Sequence, residues 1–289
     1  MTFPWREQPA ALREQHFNPR IAVPDFQEAL ERYAARSAAA RQRLPGVYDL
    51  RYGVRPQQTF DLHRAVPPPT GAPPLVLFLH GGYWRALDKR DHSFVAPLFV
   101  EAGVTLANVN YDLCPGVTLD EIVDDICEAV RYFAHHAPDY GADAQRLFLV
   151  GHSAGAHLVA RMLAQDWAAA GLPADTITGA VALSGIYEPE VVLRLAVNAE
   201  IGLTAAMAAR HDCLRQPPTR QVPLLIAVGG AEPIGWIGQS RAYHDVCAAA
   251  GIDVQWMRVE GANHFTLLAD AMTAGSPLAT AMLQLATGR

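Results

Sequence analysis

Gly151-His152-Ser153-Ala154-Gly155 stands directly behind the apolar run Arg146–Val150 and opens a helical run, Ala154–Trp167. A serine at a strand–turn–helix junction, with glycine two places before and two after it, has the form of a nucleophile elbow. The turn is so sharp that the residues two before and two after the serine must be small, as Gly151 and Gly155 are. It lifts the Ser153 hydroxyl to a helix N-terminus, where amide N–H groups and the helix dipole favour developing negative charge. Such a hydroxyl attacks a carbonyl once a base takes its proton, and the base in turn needs an orienting carboxylate.

In hydrolases with this junction the chain order is Ser, then Asp or Glu, then His. The apolar run Pro223–Val228 is followed by Gly229-Gly230-Ala231-Glu232-Pro233, in which Glu232 is the one carboxylate. Asp245, the alternative, falls inside the helical run Gln239–Ala250, which points it away from the strand end. The last apolar run, Val254–Val259, leads into Glu260-Gly261-Ala262-Asn263-His264-Phe265, and His264 is the expected base. Of the other histidines, His135 and His136 end a helix, and His152 and His157 are tied to the turn and helix of Ser153. His16, His63, His92, His211 and His244 lie in segments with no evident reason to converge on it.

A tetrahedral intermediate needs N–H donors aimed at its oxyanion. His80-Gly81-Gly82-Tyr83-Trp84 follows the run Leu75–Leu79, and its glycines let backbone approach a substrate closely. The expected oxyanion hole is the N–H groups of Gly82, Tyr83 and Ala154, with Gly81 as an alternate. His80 is expected to brace this loop. Together these residues specify acyl transfer: Ser153 attacks, His264 relays the proton, and Glu232 holds the imidazole.

The elements that must position them follow from hydrophobic patterning. Short continuous apolar runs recur at Leu75–Leu79, Val104–Val109, Leu147–Val150, Ile177–Leu183, Leu224–Val228 and Val254–Val259. Such runs suit strands covered on both faces. Helical segments lie between them. The clearest has Leu119, Ile122, Val123, Ile126, Val130 and Phe133 at steps of three and four, behind a Thr118/Glu121 capping box. This alternation predicts an α/β fold: a mostly parallel sheet with helices on both faces. Asp25–Arg43 reads as a helix, Tyr48–Tyr52 and Thr59–His63 as a hairpin, and the proline-rich Val66–Pro74 as a loop. One domain spanning 1–289 is expected, with an N-terminal helical extension over 1–45 and a cap excursion over 188–218.

Composition narrows the class. Of 289 residues, 51% are hydrophobic and 18% charged, which excludes a disordered chain. The net charge of −6 disfavours a nucleic-acid partner. Four scattered cysteines form no Cys-x-x-Cys pair, and no His-Glu-x-x-His stands in the chain, so no metal or other cofactor is expected. The charged, proline-bearing N-terminus is unlike a signal peptide, and no apolar stretch is long enough to span a membrane. A cytoplasmic location is expected, with a small-molecule acyl substrate as partner. A homodimer stays open.

H-G-G-Y-W followed by G-H-S-A-G, in this order and topology, resembles the α/β-hydrolase group that contains the kynurenine formamidases (arylformamidases), akin to the broader esterase/lipase set with H-G-G-G. The likeness includes Asn18-Pro19-Arg20, Trp84 to Lys89, Asn110-Tyr111, Gln239-Ser240 and Asn263-His264-Phe265. Relatives usually carry Asp where Glu232 stands, so the reach here is longer by one methylene. The resemblance implies hydrolysis of a small acyl group from an aryl formamide, such as N-formylkynurenine, or from a short-chain ester. The alternatives are a carboxylesterase without formamidase activity and a non-catalytic ligand-binding member of the fold. Tyr83, Trp84, Tyr187, Trp236 and Phe265 are candidates to line an aryl pocket. Arg85 and Glu188 are candidates, by position, for an amino-acid head group.

Overall fold

The computed structural model describes residues 4–66, 71–270 and 272–288. Residues 67–70 of the proline-rich loop, and the first three residues of the chain, lie outside the described residues. Eight strands form one sheet: β1 (Gly46–Arg51), β2 (Thr59–His63), β3 (Leu75–Leu79), β4 (Thr105–Val109), β5 (Leu147–His152), β6 (Ile177–Leu183), β7 (Leu224–Gly229) and β8 (Val254–Val259). Their order is β1-β2-β4-β3-β5-β6-β7-β8. The β1/β2 hairpin and the β2/β4 pair are antiparallel, and every later pairing is parallel. The mostly parallel α/β sheet expected from the apolar runs is therefore present.

The central strands are mostly apolar because both of their faces are covered. Leu75, Leu77 and Leu79 of β3 belong to one core and Val76 and Phe78 to another. Leu147 and Leu149 of β5 divide from Phe148 and Val150 in the same way, as the two-residue period of a strand requires. The helices are α1 (Ala10–Phe17), α2 (Pro19–Ala22), α3 (Phe26–Arg43), α4 (Ala96–Val100), α5 (Leu119–His136), α6 (Ala154–Leu163), α7 (Asn198–Ile201), α8 (Ala205–Arg210), α9 (Ile234–Ala249), α10 (Thr266–Ala269) and α11 (Pro277–Thr287). Helices α5, α6 and α9 cover the first face, and α4, α10 and α11 cover the second.

Three elements depart from the sequence expectation. Helix α6 stops at Leu163 rather than Trp167, because the Trp167 indole N–H turns back onto the Met162 carbonyl at 3.1 Å. Helix α9 begins at Ile234, five residues early. Its Gly235 weakens the helical signal, yet a Cβ there would stand 2.7 Å from the His16 carbonyl and 2.8 Å from the Phe17 ring. That glycine is the seat for α1, a helix of low amphipathicity within the N-terminal extension.

Several histidines are buried in this frame. Burial holds His63 down to about 4 and His92 down to about 3, and lowers His80, His152 and His157 as well. A histidine whose folded value lies below its unfolded value of about 6.5 takes up protons first in the unfolded chain, so stability is lost as pH falls below 6.5. Urea unfolding at pH 7.5, 6.5 and 5.0 is expected to show stability level above 6.5. It should then drop, by on the order of 2 kcal/mol each for His63 and His92, by pH 5. His63→Leu should remove its own share of that drop, about 2 kcal/mol; an acid slope unaltered by the substitution contradicts the assignment.

Candidate active site

The parallel register levels the C-terminal ends of the central strands. Leu79 of β3 stands beside Gly151 of β5, and His152 beside Leu183 of β6. The segments leaving these ends converge at one edge of the sheet, where ligands bind in open α/β folds. Ser153 follows β5 with φ 57° and ψ −118°, a sparsely populated conformation for a residue with a side chain. The turn is possible because Gly151 and Gly155 lack Cβ atoms. One at Gly151 would lie 2.3 Å from the Gly155 carbonyl oxygen, and one at Gly155 would lie 2.0 Å from that of Leu79. Among the described residues six non-glycine residues have positive φ, and five of them lie in the loops around this edge: Tyr83, Trp84, Leu87, Ser153 and Ser184. Strain is thus concentrated where the chemistry would be.

Glu232 and His264 are in direct contact. His264 Nδ1–H donates to Glu232 Oε2 at 2.7 Å, and both residues are buried. Fixing the proton on Nδ1 leaves the Nε2 lone pair as the acceptor. Glu232 is anchored at both oxygens: Gly229 N–H donates to Oε1 at 2.7 Å and the Ser184 hydroxyl donates to Oε2 at 2.5 Å. Ser184 Oγ also lies 3.1 Å from His264 Nδ1. The sequence reading did not single out Ser184. Nothing local to Ser184-Gly185, at the end of β6 beside the elbow, marks it; only the contact with Glu232 does. The His264 loop is held as well. His152 Nε2–H donates to the His264 carbonyl at 2.9 Å, the Tyr33 hydroxyl donates to the Phe265 carbonyl at 2.6 Å, and Asn263 Oδ1 caps the amides of Phe265 and Thr266.

On the other side of Ser153 the loop after β3 comes close. A Cβ on Gly81 would stand 3.0 Å from the Ser153 Cβ. Among the described residues, the amides of Gly82, Tyr83 and Ala154 donate no hydrogen bond, so they are available to an oxyanion. His80 braces this loop from within. Its ring nitrogens face the Gly81 carbonyl at 2.7 Å and Asn110 Oδ1 at 3.1 Å, and the ring stacks on Tyr111 at 4.4 Å. The Tyr83 hydroxyl is tied to the Phe17 carbonyl.

Ser153 and His264 line one cavity of about 60 Å³. Tyr83 and Phe265, two of the five aromatics considered for an aryl pocket, border it too. Trp84, Tyr187 and Trp236 do not. Trp84 packs edge-on to His157, Tyr187 stacks on Tyr243 at 4.3 Å, and Trp236 lies behind the His264 ring at 4.5 Å; all three are fully enclosed in the core. Their large apolar surfaces serve packing. Asp245 pairs with Arg241 and His244 on the exposed side of α9. Glu188 accepts the Trp5 indole N–H at 2.7 Å and pairs with Arg6, so it is committed to the N-terminal segment. His92, expected to lie elsewhere, does reach the cavity wall. Burial, with the neighbouring His80, holds its pKa down to about 3, too low for a useful base, and its Nδ1 faces the Asp88 carbonyl at 3.1 Å, so it serves as wall. A further wall comes from Asn18, Arg20, Leu30 and Tyr33, contributed by the N-terminal segment. Among the described residues no group of three or more His, Cys, Asp or Glu is placed to hold a metal, and no helix is long and apolar enough to cross a membrane.

Residues 76–268 match a protein family described as having the alpha/beta hydrolase fold. The kynurenine formamidase of Salmo salar is 29% identical over 289 residues, covering 91% of this chain and 92% of that one. That of Danio rerio is 27% identical over 264 residues, covering 87% and 86%. The crystal structure of a candidate thioesterase from Silicibacter sp. tm1040 superposes with a TM-score of 0.78 at 27% identity, covering 92% of this chain and 98% of that one.

The Ser184 hydroxyl steadies the carboxylate through a charge-assisted hydrogen bond, worth about 1.5 kcal/mol or more. Ser184→Ala is expected to lower kcat for an ester substrate about tenfold with little change in KM. Steady-state kinetics on the purified variant check this, and an unaltered kcat contradicts it.

Proposed function

The chain belongs to the α/β hydrolase fold family and is a hydrolase, and from that premise we propose that it cleaves a small acyl group from an aryl formamide or a short-chain ester through an acyl-enzyme on Ser153. The observation that carries the reading is the joining of His264 to Glu232 at 2.7 Å in a loop that shares one cavity with Ser153, beside three unoccupied amides.

In the first half-reaction His264 Nε2 takes the Ser153 proton as Oγ attacks the carbonyl. The amides of Gly82, Tyr83 and Ala154 receive the charge that moves onto the oxygen. Glu232 keeps the imidazole in the Nδ1–H tautomer and stabilises the imidazolium. His264 then protonates the leaving nitrogen or oxygen, and the C–N or C–O bond breaks. In the second half-reaction water enters, His264 takes its proton, and the acid is released as Ser153 regains its hydrogen.

The size of the cavity supports a short acyl group. About 60 Å³ corresponds to roughly four to six water-sized positions, at about 10–15 Å³ each. A cavity this small favours a short acyl group over a long one. The kynurenine formamidases among the relatives support the formamide arm, and the leaving group would lie toward Tyr83 and Phe265. A carboxylesterase without formamidase activity would share all of this machinery.

Two measurements follow. Ser153→Ala should lower kcat/KM for an ester or formamide by at least about a thousandfold. A fluorophosphonate probe should label the native chain and leave this variant unlabelled; equal labelling removes Ser153 from the mechanism. Rates on N-formylkynurenine and on p-nitrophenyl esters of rising acyl length should fall off beyond the shortest esters. Negligible turnover of the formamide with brisk ester hydrolysis selects the esterase reading.

A further inference from the structure

We propose that Arg20 and Arg85 form a carboxylate-binding subsite at the mouth of the cavity, so that preferred substrates carry an anionic group remote from the bond that breaks. This rests on reading the Ser153 cavity as the active site. Both arginines line the same cavity as Ser153 and His264, yet they come from segments far apart in the chain. The Arg85 side chain is 16% exposed, and its Nη1 pairs with Glu200 Oε2 at 2.6 Å. Its Nε is buried with no hydrogen-bond partner. An unpaired buried N–H is costly, and so marks a place for an acceptor. The Nε–Nη2 edge of a guanidinium matches the two oxygens of a carboxylate, so a bound anion would satisfy the orphan donor while Glu200 keeps Nη1.

Arg20 supplies the second charge. It stands on α2, whose N-cap is Asn18, and makes no ion pair among the described residues; its guanidinium lies over the Phe26 ring at 5.5 Å. Burial and the neighbouring charge of Arg85 both pull its pKa below the ordinary guanidinium value. Two cations repelling one another at a cavity mouth gain from an anion placed between them. Glu200, at 60% exposed, is too well solvated to neutralise both. Glu14 is committed elsewhere, accepting from Ala196 N–H and Asn18 Nδ2, and it does not line the cavity. An ion-paired arginine in which every N–H is matched would be a structural strap; here the buried Nε is left without a partner, on a residue that lines the site.

The test compares matched substrates that differ only in charge: N-formylkynurenine against its carboxamide, and 4-acetoxybenzoate against 4-acetoxybenzamide. The native chain should prefer the carboxylate member of each pair by about ten- to hundredfold in kcat/KM. Arg85→Gln and Arg20→Gln should bring that ratio toward one, and Arg85→Lys should retain part of it. A native ratio near one, or a ratio unaltered in both glutamine variants, overturns the subsite. Calorimetry on the Ser153→Ala chain with N-formylkynurenine and its carboxamide reads the same preference without turnover. If the native chain hydrolyses none of the four compounds but this variant still prefers the carboxylate ligand, the proposed function fails and the subsite stands. Equal binding of both ligands removes the subsite whatever the rates show.

Discussion

The turn at Ser153 can form only where the residues two before and two after it carry no side chain, and the rest of the structure is arranged around that requirement. Gly151 leaves room for the Gly155 carbonyl, and Gly155 leaves room for the carbonyl of Leu79 on the neighbouring strand. This close approach also sets where the loop after β3 lies, because β3 and β5 run in parallel register up to that point. The elbow and the candidate oxyanion loop are therefore one steric unit. Strain at Tyr83, Trp84 and Ser153 is tolerated because the surrounding strands are buried on both faces and cannot shift without opening the core.

The opposite side of the cavity has a different logic. Glutamate is longer than aspartate by one methylene and has one more rotatable bond to immobilise. Here both of its oxygens are held, one by the Gly229 amide and one by the Ser184 hydroxyl, so the added freedom does not loosen the contact with His264. Ser184 itself has φ 50°, a conformation that aims its side chain from the end of β6 at the pair. The N-terminal segment then closes the site. Tyr33 fixes the Phe265 carbonyl, the Phe17 carbonyl holds the Tyr83 hydroxyl, and Asn18 and Arg20 form part of the wall. What looks in sequence like an appendage to the sheet is a component of the cavity.

Legibility followed the range of the interaction. The strands were readable because an apolar run of four to seven residues bounded by turn residues has few other uses. Ser153, Glu232 and His264 were locatable because each lies just past such a run. Ser184 was not, since a serine after a strand carries no chemistry until Glu232 is known to face it across 48 positions. The aromatic side chains show the same limit. Composition marks Trp84, Tyr187 and Trp236 as large apolar surfaces but cannot distinguish a pocket wall from a core, and tertiary packing placed all three in the core. His92 is the converse: nothing local to its segment brings it to the cavity, and only the packing of α3 against that segment does so.

An acyl-enzyme on Ser153 is the central claim, and it is open to direct observation. Native chain mixed with p-nitrophenyl acetate, quenched in acid within the first turnover and examined by peptide mass spectrometry, should carry one acetyl group on the peptide that contains Ser153, and the Ser153→Ala chain should carry none. Hydrolysis that proceeds with no adduct, or with an adduct at another residue, would contradict the mechanism.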